Sequence, residues 1–242
     1  MESLKKQLKF HYLYNKKAFL IFWGIVIAFN IFGIIYNSFI RVMVNGGTIH
    51  IGIGLNSGGK ISNVGGNYIP IIIYIIVTSI MMYSEAFKAL IGFSSTRKDS
   101  YKGIVAFHVV LSLAMTIVQV VLLNIESIII PLLGLNKTYL SFNEYFPGGI
   151  YLFLITFAIF LASCGVLNLI SGLSYRFGKR VWIYAAVIVI FAPVVLMERI
   201  ILPIYNMFLI NNLFTIFLFL ISISVICFYL GWISIRKCDL KK

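Results

Sequence analysis

Apolar positions gather into six long runs, each broken off by charge or by clusters of Gly, Asn and Pro. Crossing about 30 Å of hydrocarbon takes roughly 20 helical residues at 1.5 Å rise. The runs at 18–40, 68–90, 104–124, 150–170, 181–197 and 213–235 meet that need, the fifth being the shortest. The pattern predicts an all-α integral membrane protein, a six-helix transmembrane bundle forming one transmembrane domain over 1–242. Ahead of it, Lys5, Lys6, Lys9, Lys16 and Lys17 share a helical arc while Leu4, Leu8, Phe10 and Tyr14 fall mostly opposite. This predicts an amphipathic lead-in helix over 1–17 on the cytoplasmic leaflet, the alternative being a short basic tail that only sets topology. Between the first two runs, Ile49, Ile51, Ile53 and Leu55 alternate with His50, Gly52 and Gly54, and Asn56 to Gly59 is turn chemistry. A small extracytoplasmic hairpin is expected there.

Composition sharpens this reading. At 61% hydrophobic and 11% charged residues, the chain has too little polar surface to solvate a globule of 242 residues, which excludes a water-soluble domain. The formal charge of +13 does not point to nucleic acid, because the Lys and Arg flank apolar runs instead of interleaving with polar residues on a wettable face. Placing both termini and the connections 91–103 and 172–180 inside puts 16 of the 20 basic residues in the cytoplasm; only Arg41, Lys60, Lys137 and Arg199 remain outside. The positive-inside rule then orients a multi-pass protein of the plasma membrane, its first run retained because no small-residue cleavage site follows it.

Chemical motifs are sparse. Gly54, Gly59 and Lys60 match part of a phosphate-binding loop, but Ile61 stands where a Mg²⁺-ligating hydroxyl is required, so the stretch reads as a glycine-rich turn. Cys164, Cys227 and Cys238 are too few and scattered for a disulfide framework or a four-ligand metal site. Cys164, in Ser163-Cys164-Gly165, suits close helix packing better than nucleophilic work. His11 and His50 are expected outside the hydrocarbon, leaving His108 as a lone histidine bonded to a neighbouring helix, and Asp99, Glu126, Glu144 and Glu198 at or beyond membrane edges. No catalytic set, metal site or cofactor site emerges. Glu85 and Lys88 are spaced to meet on one helical face, as an interfacial ion pair or as a contact for a cytoplasmic partner. Asn30, Asn37, Gln119, Asn124 and Asn168 are expected to bond between helices or to line a lightly polar path.

The most informative stretch is Gly92-Phe93-Ser94-Ser95-Thr96-Arg97-Lys98-Asp99-Ser100-Tyr101-Lys102-Gly103, with the third run following at once. It resembles the cytoplasmic loop of type-2 ABC exporter permeases, in which a Gly, a Ser/Thr-Arg-Lys core, an acid and an aromatic lead into the third span. Here Ser100 separates the acid Asp99 from the aromatic Tyr101, a departure from the pattern of many members. The resemblance implies a permease subunit pairing with a second permease subunit and with separate ATPase subunits that carry ATP and Mg²⁺. It also implies that Arg97, Lys98, Asp99, Tyr101 and Lys102, with Glu85 and Lys88, couple to the ATPase, and that Arg176, Lys179 and Arg180 make a lesser cytoplasmic contact. The substrate implied is a hydrophobic or amphipathic peptide, antimicrobial or lipid-like molecule. An antimicrobial immunity or sensing subunit of the same fold is an alternative reading. An ATP-independent carrier is another, although ionisable residues at midplane or paired broken helices would mark it and neither is evident.

Overall fold

A computed structural model of the chain describes residues 2–44, 64–92, 96–132, 149–178, 180–196 and 213–236, and all regular structure among them is helical. Helix α1 is Glu2–Val44; a 3₁₀ turn, Val64–Asn67, leads into α2, Tyr68–Met81; a π turn, Met82–Ala86, joins α2 to α3, Phe87–Gly92. Then follow α4 (Arg97–Leu132), α5 (Gly149–Phe177), α6 (Arg180–Leu196) and α7 (Leu213–Arg236). Among the described residues, five stretches are long and apolar enough to cross a membrane: Lys5–Gly33, Val64–Gly92, Arg97–Ile129, Gly149–Phe177 and Phe214–Arg236. They match the first four predicted runs and the sixth. The fifth run coincides with α6, whose 17 residues reach about 26 Å. The expected hairpin around 49–61 lies outside the described residues.

Side-chain pairings fix the helix directions. Tyr14 and Asn30 of α1 meet Glu85 and Asn67, so α1 runs antiparallel to α2 and α3. Ser79 with His108 and Asn67 with Gln119 set α4 antiparallel to α2. Asn168 with Tyr101, and Leu152 packed with Leu123, turn α5 back along α4. Helix α7 then lies parallel to α5: Ser224 donates to Leu161 O, and Ile235 abuts Gly172 eleven residues further along both helices. We call the end holding the 92–97 connection and the 177–180 corner the loop end.

Small residues explain why α5 and α7 form the closest pair. A Cβ on Gly165 would stand 3.1 Å from Ser224 Cα, so glycine lets the two backbones approach. Cys164 beside it is fully buried and packs in the core, as its small neighbours suggest. Around this pair Ile71, Ile75, Phe87, Ile104, Met115 and Phe160 are fully buried.

The lead-in is corrected by the structure. It is not a separate interfacial helix: α1 runs unbroken from Glu2, with no proline to interrupt it, and its first four turns stand along α4. The face they bury is polar. Gln7, His11 and Asn15, four residues apart, are each under 7% exposed, whereas Tyr12 and Leu13 are exposed. The absence of a side chain on Gly103 makes room for Gln7, since a Cβ there would collide with its Oε1. His11 is wholly buried, its ring centroid 5.5 Å from that of Phe107, so His108 is not the single buried histidine.

Candidate functional site

The loop end carries the residues singled out in the sequence. Thr96 is the N-cap of α4: its Oγ1 donates to Asp99 Oδ2 at 2.7 Å, Asp99 N donates back to Thr96 Oγ1 at 3.2 Å, and Ser100 N closes the turn on Thr96 O at 2.9 Å. This N-cap, with the Asp99 carboxylate accepting the capping hydroxyl, gives the corner a defined shape. Two cations, Arg97 and Lys98, occupy the first turn, where the helix dipole disfavours positive charge and only Asp99 offsets it. Lys98 and Lys102 are exposed, while Arg97 and Asp99 are half-buried.

Tyr101 departs from the expected surface contact. It is 6% exposed, because its ring turns into the bundle and stacks in tilted fashion on Trp232, centroids 5.5 Å apart. Its hydroxyl donates to Phe228 O of α7 and accepts from Asn168 Nδ2 of α5 at 2.9 Å. Asn168 Oδ1 in turn accepts the Tyr83 hydroxyl at 2.6 Å. Four helical segments thus meet at one fully buried amide. Gly231 is required beneath it, since a Cβ there would lie 2.7 Å from Tyr101 Oη and 2.9 Å from Asn168 Nδ2. The sequence marked Asn168 as an interhelical partner and missed Tyr83, which looks like any aromatic residue of an apolar run.

The Glu85–Lys88 pairing is also corrected. Glu85 lies inside the π turn and accepts the hydroxyl of Tyr14 from α1, while Lys88 is exposed on α3. A π turn inserts an extra residue per turn and so offsets the faces of α2 from those of α3. Tyr83 and Glu85, both in that turn, reach opposite neighbours, α5 and α1.

At the second corner, Gly178 takes φ +94° after the last turn of α5, a left-handed value that closes a helix and strains any other side chain. Gly178 N bonds Ser174 O at 2.8 Å and Val181 N bonds Gly178 O at 3.2 Å, so α6 starts at once. Arg176 Cζ lies 4.9 Å over the Phe177 ring and Arg180 is exposed, whereas Lys179 lies outside the described residues. Both basic corners therefore share the loop end.

A second polar node sits at the far end. Asn30 Nδ2 donates to Asn67 Oδ1 at 3.2 Å, Asn67 Nδ2 to Gln119 Oε1 at 3.4 Å, and Gln119 Nε2 to Val64 O at 2.8 Å. Glu126, expected at a membrane edge, is buried and accepts Val64 N at 3.2 Å, placing its carboxylate at the start of the 3₁₀ turn where free N–H groups favour an anion. Asn124 instead bonds back to Val120 O of its own helix. His108 is bonded as expected, Nδ1 to Ile104 O at 2.9 Å and Nε2 to Ser79 Oγ at 3.1 Å. With Nδ1–H donating to that carbonyl, Nε2 accepts the serine hydroxyl. Among the described residues no three His, Cys, Asp or Glu cluster as metal ligands.

The fold and its sites define the class as a multi-pass helical membrane protein. Comparison of the chain with protein-family models, curated proteins and solved structures finds no match.

Proposed function

We propose that the chain is the membrane-spanning permease subunit of an ATP-driven exporter of the type-2 ABC kind, pairing with a second permease subunit and with separate ATPase subunits. The observation that carries this reading is the corner Thr96 to Tyr101. A capped basic helix start offers Lys98 and Lys102 outward, while Tyr101, four residues from Arg97 and five from Thr96, is bonded to α5 and α7. A partner pushing on the cations would move a helix tied directly into the bundle core. Surface charge alone would set topology without such a connection.

The reading includes six crossings with both termini cytoplasmic. The parallel run of α5 and α7 supports the sixth, because the chain must return across the bundle between Phe177 and Leu213, and α6 begins that return. The split of basic residues supports the orientation. Single cysteines at Ser57 and Lys137, in a variant lacking native cysteines, should react with an impermeant thiol reagent in intact cells, whereas one at Ser174 should not. The reverse labelling would invert the topology. Purification of the unaltered chain from its own membranes should recover an ATPase lacking membrane spans, and repeated recovery without one would remove the exporter reading.

A further inference from the structure

The first four turns of α1 are polar on both faces. Gln7, His11 and Asn15 are buried on the side of α4, while Lys5, Lys6, Lys9, Lys16 and Lys17 are all exposed. A helix of this kind does not suit a lipid-facing position. Its depth is set by α7, which follows Asn211 and Asn212 and needs about 20 residues from Leu213 to cross the hydrocarbon, ending near Trp232. Trp232 stacks on Tyr101, so the hydrocarbon at the loop end begins near the level of Tyr101.

Helix α1 runs parallel to α4, with Gln7 against Gly103 and His11 beside Phe107. The same register sets Lys16 level with Ser112 and Lys17 with Leu113, about 16 to 18 Å past Tyr101. The four-carbon stem of a lysine shortens that distance by less than half, so neither ammonium reaches the lipid phosphates of this leaflet. Cations at such depth are costly, and those that persist line water-filled cavities and substrate pathways. The acids with placed side chains are committed elsewhere: Glu85 accepts Tyr14, Asp99 accepts Thr96, and Glu126 accepts Val64 N. A second copy of the chain brings the same acids, engaged in the same way.

We propose that the outward face of α1 from Lys9 to Lys17 lines a polar pathway open to the loop end and binds the anionic group of the molecule that passes. The ligand is an amphiphile with a phosphate or carboxylate, its apolar body against Leu13 and Leu20, which are exposed on the same arc. The inference rests on the permease reading for the passage of that molecule, and it narrows the substrate to an anionic one.

The test places a single cysteine at Leu13, between Lys9 and the Lys16 and Lys17 pair, in a full chain lacking native cysteines and held in phosphatidylcholine nanodiscs. Anionic sulfonatoethyl methanethiosulfonate should modify Leu13→Cys faster than the cationic trimethylammonioethyl reagent does. Adding Lys17→Gln should lower that rate ratio about five-fold, the contribution of one lysine near a surface. Val225→Cys, exposed at a like depth on α7, should react with neither reagent. Dodecyl phosphate should protect Leu13→Cys, and dodecanol should not. No reaction at Leu13→Cys, an unchanged ratio with Lys17→Gln, equal reaction at Val225→Cys or equal protection by dodecanol would each overturn the site. Protection by phosphatidylglycerol in the nanodisc, with no dodecyl phosphate present, would assign the face to a leaflet lipid and overturn the pathway. These measurements need no ATPase, so their failure is distinct from failure of the exporter reading, which ATPase recovery tests.

Discussion

The two buried polar nodes of the bundle have similar parts and different surroundings. At the far end, Asn30, Asn67 and Gln119 bond in sequence and finish on Val64 O, with Glu126 on Val64 N, so the node fastens the start of α2 to α1 and α4. At the loop end, Tyr83, Asn168 and Tyr101 bond in sequence and finish on Phe228 O, one turn from a capped corner that presents cations. The first node includes a helix start and holds it. The second joins a π turn, two transmembrane helices and an exposed corner, so displacement of any one is felt by the others. Similar hydrogen bonding therefore serves anchorage at one end and linkage at the other.

Removing the centre of each node tests that contrast. Asn168→Ala should have the larger effect, about 2 kcal/mol of destabilisation in detergent, since it removes two interhelical bonds and leaves the buried Tyr83 hydroxyl without its acceptor. Gln119→Ala, at the anchoring node, should cost about 1 to 2 kcal/mol for the same reason. The two differ in what else changes: Asn168→Ala should lower transport-linked ATP hydrolysis in proportion beyond its stability loss, and Gln119→Ala should not. Thermal unfolding and hydrolysis by the purified complex measure both. Equal functional loss per kcal/mol would erase the distinction between the nodes.

A smaller change sharpens it. Tyr101→Phe keeps the ring against Trp232 and removes only the hydroxyl. The stability cost should be about 1 kcal/mol, with ATPase association retained and the ratio of transport to hydrolysis reduced. An unchanged ratio would make the Tyr101 hydroxyl a purely structural bond.

Much of this architecture was legible because membrane helices announce themselves by length and apolarity. Asn30, Gln119 and Asn168 could be read as interhelical partners since an amide in hydrocarbon needs one, and Cys164-Gly165 as a close contact since small side chains permit it. Other features left no local trace. The charge at Lys16 and Lys17 looked like a membrane boundary, yet α1 continues through it because Gln7, His11 and Asn15 find a protein surface on α4. The π turn has no composition of its own, so the contact of Glu85 with Tyr14 of α1 could not be read from its spacing to Lys88. Tyr101 follows a run of charges and looked exposed; its burial depends on α5 and α7, more than 60 residues away in sequence. The partner of Glu126 left no trace either, because nothing nearby in sequence reveals the N–H group of Val64 that it meets.

The corner itself offers the most direct test of the account. Arg97→Glu with Lys98→Glu reverses two charges outside the apolar core, where such changes ordinarily contribute little to fold stability. At a partner interface the same reversal removes favourable pairing and adds repulsion, a cost of up to a few kcal/mol. The double variant should insert with unaltered topology and keep its thermal stability, but lose ATPase on co-purification and show no transport-linked hydrolysis. Retention of the ATPase at wild-type affinity, with transport intact, would contradict it and leave the corner a determinant of topology alone.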